Sequence, residues 1–212
     1  MRQAALEFHI GDSRLEGVLT TPAGLRPPFP GVVVCHAHPL FGGHMDSAVT
    51  YAICSELAGR GIASLRFNFR PFKDGATDAG GTAAEDVARA LGILQGWRET
   101  RGRRLGVAGY SAGAAAIARG LAGLADARAI ALVSPPLSAV QSPAFGSDSR
   151  PRLLLVGSED RIVKQDELQS AANAMAQPPV FEVLPGADHT LRGHEPEAAR
   201  RVAAFMEEQL LR

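Results

Sequence analysis

The sequence predicts an α/β fold. It should hold a mostly parallel β-sheet, helices on both faces to give three layers, and an antiparallel hairpin at the N-terminus. Two observations carry that prediction. Strand-like and helix-like stretches alternate for most of the chain, the pattern of repeated βαβ units joined by right-handed crossovers. The strand-like stretches within it, such as Gly31-Val32-Val33-Val34-Cys35, are continuously apolar, as required when both faces of a strand are covered. With 212 residues, the chain is read as one domain, residues 1–212, with bulk for a sizeable core.

Taken in order, residues 6–10 and 15–20 read as two short strands joined by Gly11-Asp12-Ser13, a hairpin signal. The stretch 21–30 is a Pro-rich loop, and Gly31–Cys35 is the first fully apolar strand. A helix is predicted over 45–60, with Ala48, Tyr51, Ala52, Ser55 and Ala58 at helical spacing and Gly61 beyond its end. A strand over 62–67 follows, then a Gly- and Asp-rich loop over 71–81. The helix predicted over 82–97 opens with Thr82 and Glu85 at capping-box spacing. Next come a strand over 104–108, a helix over 111–122 and a strand over 129–133. Residues 134–150 carry three prolines and several serines and read as a loop with room for one helical turn. A strand over 152–156, a helix over 165–176, a strand over Val180–Leu184 and a helix over 196–211 complete the chain. No internal repeat and no second domain is visible.

Composition narrows the function classes. Lys and Arg number 22, Asp and Glu 22, for a formal net charge of 0. That balance supplies neither the basic footprint of a nucleic-acid binder nor one for an anionic membrane surface. The cluster Arg101-Gly102-Arg103-Arg104 reads as a solvated loop. The two cysteines, Cys35 and Cys54, fall in a strand and a helix and are expected to be buried thiols; no Cys/His spacing resembles a zinc site. The N-terminus has no apolar run of signal-peptide length, and no stretch reaches the ~18 apolar residues of a membrane span. A reduced, cytoplasmic protein is expected, either a monomer or a homodimer.

The stretch around which the rest is arranged is Leu105-Gly106-Val107-Ala108-Gly109-Tyr110-Ser111-Ala112-Gly113-Ala114-Ala115-Ala116. An apolar strand runs straight into an alanine-rich helix through Gly-x-Ser-x-Gly. The sharp turn pushes Ser111 towards φ > 0, a strain of about 1–3 kcal/mol that persists only where the surroundings impose it. The flanking glycines let strand and helix pass closely. The serine hydroxyl is then held above the sheet, beside the positive end of a helix. The pentapeptide alone is a weak signal; the strand before it and the helix after it are what its mechanism needs. The plain alternative is a turn whose serine only caps the helix.

Other strand ends carry further candidates, and function in such sheets sits at the carboxyl ends of strands. His36-Ala37-His38-Pro39-Leu40-Phe41-Gly42-Gly43-His44 follows the strand ending at Cys35. Gly157-Ser158-Glu159-Asp160 follows the strand ending at Val156, and Pro185-Gly186-Ala187-Asp188-His189 follows Leu184. With Ser111 this gives Ser, Asp and His in chain order. His36 and His38 lack an adjacent carboxylate and are thin support for a metal site. Gly42-Gly43 lacks the flanking pattern of a phosphate cradle and reads as a flexible wall of the acyl pocket.

On these three motifs the chain resembles the α/β-hydrolase superfamily along almost its whole length. The run from His36 to Asp46, followed by Phe67-Asn68-Phe69-Arg70, resembles a small lidless bacterial subgroup related to dienelactone hydrolases and X-Pro dipeptidyl-peptidase-like hydrolases. The chain departs from that subgroup at Ala37, where proline is usual, and at Pro71, where glycine is usual. True dienelactone hydrolases hold a cysteine where this chain has Ser111.

The resemblance implies a three-layer α/β-hydrolase fold without a substantial lid, no cofactor and no metal. It also implies roles that the chemistry requires. Ser111 is the nucleophile, weak until a base takes its proton. His189 is that base, in preference to His194. Asp160 orients the imidazole and stabilises its charged form, in preference to Glu159 or Asp188. The backbone N–H of Ala112 and that of His38, or else of Leu40, are expected to bind the developing oxyanion. Leu40, Phe41, Tyr110 and Leu191 are the expected pocket walls. The expected partner is a small-molecule acyl substrate, an ester, thioester or amide, taken into an open, shallow pocket. The competing reading is a catalytically incomplete scaffold that binds a small molecule or a protein.

Overall fold

The computed structural model describes residues 1–70, 80–100 and 102–212. The hairpin is formed by β1 (Arg2–Ile10) and β2 (Ser13–Thr21). There follow β3 (Gly31–Cys35), α1 (Ala48–Gly59), β4 (Ala63–Phe67) and α2 (Gly80–Gly96). Next come β5 (Leu105–Tyr110), α3 (Ala112–Arg119), β6 (Ala127–Val133), α4 (Leu137–Val140) and α5 (Pro143–Gly146). The chain closes with β7 (Arg152–Gly157), α6 (Gln165–Asn173), β8 (Val180–Leu184) and α7 (Glu195–Leu211).

The strands form one sheet in the order β1-β2-β4-β3-β5-β6-β7-β8. The hairpin pairs antiparallel, both within itself and against β4, and every later pairing is parallel. On one face Val33, Leu65, Val107 and Leu132 pack under α2, α3 and α6. On the other, Val32, Val34, Ala108 and Ala131 pack under α1 and α7. Small residues let α7 come close: a Cβ on Gly106 would stand 2.9 Å from the sulfur of Met206. From β3 the chain moves to β4 on one side and to β5 on the other. The crevice between the ends of β3 and β5 is therefore the topological switch point, where such sheets bind ligands.

Several boundaries differ from the sequence reading. β1 begins at Arg2, because backbone pairing from Arg2↔Thr21 to Ile10↔Ser13 continues past the residues 6–10 and 15–20 read as strands. α1 begins at Ala48 rather than at 45: Asn68 accepts from the Met45 N–H at 2.9 Å, and Arg66 holds Asp46 at 2.9 Å. α2 begins at Gly80, so Thr82 lies inside the helix and the capping box is not formed. Glu85 instead accepts from Arg70 at 2.8 Å. Arg70 also pairs with buried Asp86 at 2.6 Å, tying the turn after β4 to α2. Residues 134–150 hold two helices of four residues each, α4 and α5, rather than a single turn. The expected Gly- and Asp-rich loop lies, over 71–79, outside the described residues, as does Arg101. Cys35 and Cys54 are free and buried. Among the described residues no helix is long and apolar enough to cross a membrane.

Candidate active site

The turn from β5 into α3 sets Ser111 at φ 52° and ψ −109°, the left-handed value that the sharp strand-to-helix passage predicts. Glycine is obligatory on both sides of it. A Cβ on Gly109 would stand 2.6 Å from the Gly113 carbonyl, and one on Gly113 would stand 2.6 Å from the carbonyl oxygen of Cys35. The strained serine is held by its own backbone, its N–H donating to Val133 at 2.9 Å and its carbonyl accepting from Ala115 at 3.1 Å.

Three separate strand ends meet at this hydroxyl. His189, on the loop after β8, places Nε2 3.1 Å from Ser111 Oγ. Asp160, on the loop after β7, places Oδ2 2.8 Å from His189 Nδ1. With the carboxylate accepting from Nδ1–H, Nε2 presents its lone pair to the serine hydroxyl. Asp160 is fixed in turn, since Oδ1 accepts from the N–H groups of Ile162 at 2.9 Å and Val163 at 2.8 Å. Burial pushes its carboxyl upward, but His189 and those two N–H groups outweigh this and hold it below the usual carboxylate range. The competing acids are otherwise engaged or placed. Asp188 Oδ1 accepts from the N–H and the hydroxyl of Thr190, at 2.8 and 2.7 Å, locking a local turn. Glu159 is exposed.

No family model matches the chain. An uncharacterised protein of Rickettsia prowazekii is 25% identical over 209 aligned residues, covering 94% of this chain and 87% of that one. Among solved structures, an α/β serine hydrolase homologue from Coxiella burnetii is 25% identical, with a TM-score of 0.75 and coverage of 95% and 96%. A lidless α/β serine hydrolase from Xanthomonas campestris is 24% identical, with a TM-score of 0.81 and coverage of 98% and 95%. A dienelactone hydrolase from Anabaena variabilis is 20% identical, with a TM-score of 0.79 and coverage of 99% and 98%. This chain has the lidless α/β-hydrolase fold.

The hydrolase fold places the remaining predicted residues unevenly. A cleft of about 750 Å³ is lined by Ser111, His189, Ala112, His38, Phe41 and Tyr110 among others. That volume suits a drug-sized ligand. Ala112 opens α3, so its N–H is one of those a helix leaves without an internal partner.

Leu40 does not line the cleft. It sits on a 3₁₀ turn (Pro39–Phe41), its N–H capped by His38 Nδ1 at 3.1 Å, and its side chain is 81% exposed. Phe41, one position on, is as exposed as Leu40 but borders the cleft. Leu191 is not a wall either. It is fully buried under α7 with Leu184, Ala187 and Val202. Its φ of 55° lies in the left-handed region, which costs about 1–2 kcal/mol; burying a leucine side chain contributes about 1.5–3 kcal/mol and offsets that.

Gly43 is needed for a close approach rather than for flexibility, because a Cβ there would collide with the carbonyl of Ala37. His36 is a buried strut: its Nε2 accepts from the Phe69 N–H at 3.3 Å and its Nδ1 donates to the Ala37 carbonyl at 2.6 Å. Burial pushes its pKa down to about 4, so it stays neutral. Both of its nitrogens are occupied, and among the described residues no His/Cys/Asp/Glu group suits a metal ion.

Sequence reasoning missed Ile162, which lines the cleft beside Asp160 while 73% exposed, and Pro136 on the β6–α4 connection. The apolar pair Ile162-Val163 just after the acid, in a loop of charged and polar residues, is the signal that could have found Ile162.

Proposed function

We propose that the protein is a serine hydrolase that cleaves small ester, thioester or amide substrates through an acyl-enzyme. The observation that carries this reading is the unbroken hydrogen-bonded chain from Ser111 through His189 to Asp160, at 3.1 and 2.8 Å, facing a cleft. In this reading Ser111 Oγ attacks the acyl carbon while Nε2 of His189 takes its proton. Asp160, held as a carboxylate, stabilises the imidazolium. The N–H groups of Ala112 and His38 bind the oxyanion, each such donor contributing about 2.7–4 kcal/mol. His189 then protonates the leaving group, and water, activated by the same imidazole, releases the acid.

A fluorophosphonate probe tests the proposal. Covalent labelling that maps to Ser111, and that His189→Ala suppresses, is the expected result. A protein that takes up no label supports the binding-scaffold reading instead.

Two features favour compact substrates. Only α4 and α5, four residues each, stand between β6 and β7, so no long segment covers the cleft from there. Phe41 and Ile162 rise at the mouth, on loops after β3 and β7, with Ser111 at the end of the intervening β5. Short-chain p-nitrophenyl esters are therefore expected to turn over faster than long-chain triglyceride emulsions. Initial rates measured side by side check this, and the reverse order contradicts it.

A further inference from the structure

We infer that Tyr110 is a positioning residue: its hydroxyl holds the backbone of His189, and through it the imidazole, in line with Ser111. The inference rests on the hydrolase reading above. Ser111 follows β5 and His189 follows β8, and in the sheet these strands are separated by β6 and β7. The ladder of strand pairings fixes where the two strands end; it does not fix how the loop after β8 reaches back across two strands to the serine. That loop turns through left-handed residues at Gly186, Leu191 and Gly193. Leu191 anchors it below by its buried side chain, and Asp188 braces it internally through Thr190.

Tyr110 supplies the tie from the nucleophile's side. It is the last residue of β5 and adjacent to Ser111, so its backbone belongs to the same rigid elbow. Its hydroxyl donates to the His189 carbonyl oxygen at 2.7 Å. Its ring lies tilted against the imidazole with centroids 6.2 Å apart. The residue is only 9% exposed, and burial pushes the phenol up to about 12, so it remains a donor across the working pH range. One elbow therefore carries two groups that meet the base: Oγ of Ser111 at the imidazole, and the Tyr110 hydroxyl at the main chain of the same residue. A phenylalanine at 110 would keep the ring packing and lose only the tie.

The experiment is Tyr110→Phe, assayed with a short p-nitrophenyl ester and with the fluorophosphonate probe. We expect kcat and the labelling rate to fall together by about 3- to 10-fold, the range that one lost hydrogen bond supplies. KM should change less than about 2-fold, because the ring that lines the cleft is retained. Thermal unfolding of the same variant shows that the loss is not one of folded protein. In a His189→Ala background, Tyr110→Phe should cost less of the residual rate than it costs in the parent, since no base remains to be positioned; such non-additivity is the mark of residues acting as one unit. Unchanged kcat in the single variant, a loss confined to KM, or an equal loss in the His189→Ala background overturns the inference. A parent protein that neither cleaves esters nor labels at Ser111 overturns the hydrolase reading as well. A parent that does both, with Tyr110→Phe equally fast, overturns this inference alone.

Discussion

Ser111→Ala is expected to lower kcat for an activated ester by about 10⁶-fold, the loss that follows removal of a triad serine elsewhere. It should leave the fold in place. The side chain's role is confined to Oγ, which meets His189 Nε2 at 3.1 Å. The elbow itself is held by main-chain bonds to Val133 and Ala115, which alanine keeps. Alanine also keeps the Cβ, so the left-handed conformation at φ 52° is no more strained than in the parent. A melting temperature within a few degrees of the parent should therefore accompany near-complete loss of turnover and of fluorophosphonate labelling. A variant retaining a tenth of the parent's kcat would show that some other group attacks the substrate.

The elbow was legible because its geometry admits so few residues. A Cβ on Gly109 or Gly113 would stand 2.6 Å from main-chain atoms, so the spacing Gly-x-Ser-x-Gly is a steric requirement written directly into the sequence. Asp160 and His189 were legible as polar residues just beyond apolar strands, and the parallel order of β5 to β8 brings those ends to one edge of the sheet. What stayed hidden depends on single dihedral angles or distant partners. Leu191 reads as a cleft residue because it follows His189 closely; one left-handed φ turns it into the core instead. Leu40 and Phe41 are equally apolar in sequence and both are exposed; the 3₁₀ turn capped by His38 sets only Phe41 beside the cleft. Thr82 and Glu85 have capping-box spacing, yet Arg70 recruits Glu85 from a different segment. Local pattern cannot anticipate a partner that the fold delivers from elsewhere.

Asp160→Asn should lower kcat by about 10⁴-fold, as the equivalent change does in serine proteases, and the reason can be traced atom by atom. The carboxylate accepts on both oxygens: Oδ1 from the N–H groups of Ile162 and Val163, and Oδ2 from His189 Nδ1 at 2.8 Å. Asparagine offers one acceptor and one donor. Its carbonyl oxygen is claimed by the two main-chain N–H groups, which leaves the amide NH₂ facing the imidazole. Nδ1 must then accept, the ring proton moves to Nε2, and the lone pair that should take the Ser111 proton is gone. The variant should still bind substrate, so the loss falls on kcat more than on KM. The same substitution has a pH signature in stability. The Asp160 carboxyl is held below its usual range in the folded protein, whereas in the unfolded chain an aspartate titrates at about 3.9. A group depressed in this way stabilises the fold at pH above the unfolded value and loses that contribution as pH falls through the folded one. The parent should therefore melt higher than Asp160→Asn at pH 7, with the gap closing below about pH 4. Parallel urea or thermal melts at pH 7 and pH 3 measure it. A gap that stays constant across that interval, or an asparagine variant with more than a tenth of the parent's kcat, would mean that Asp160 is not the charge that sets the imidazole.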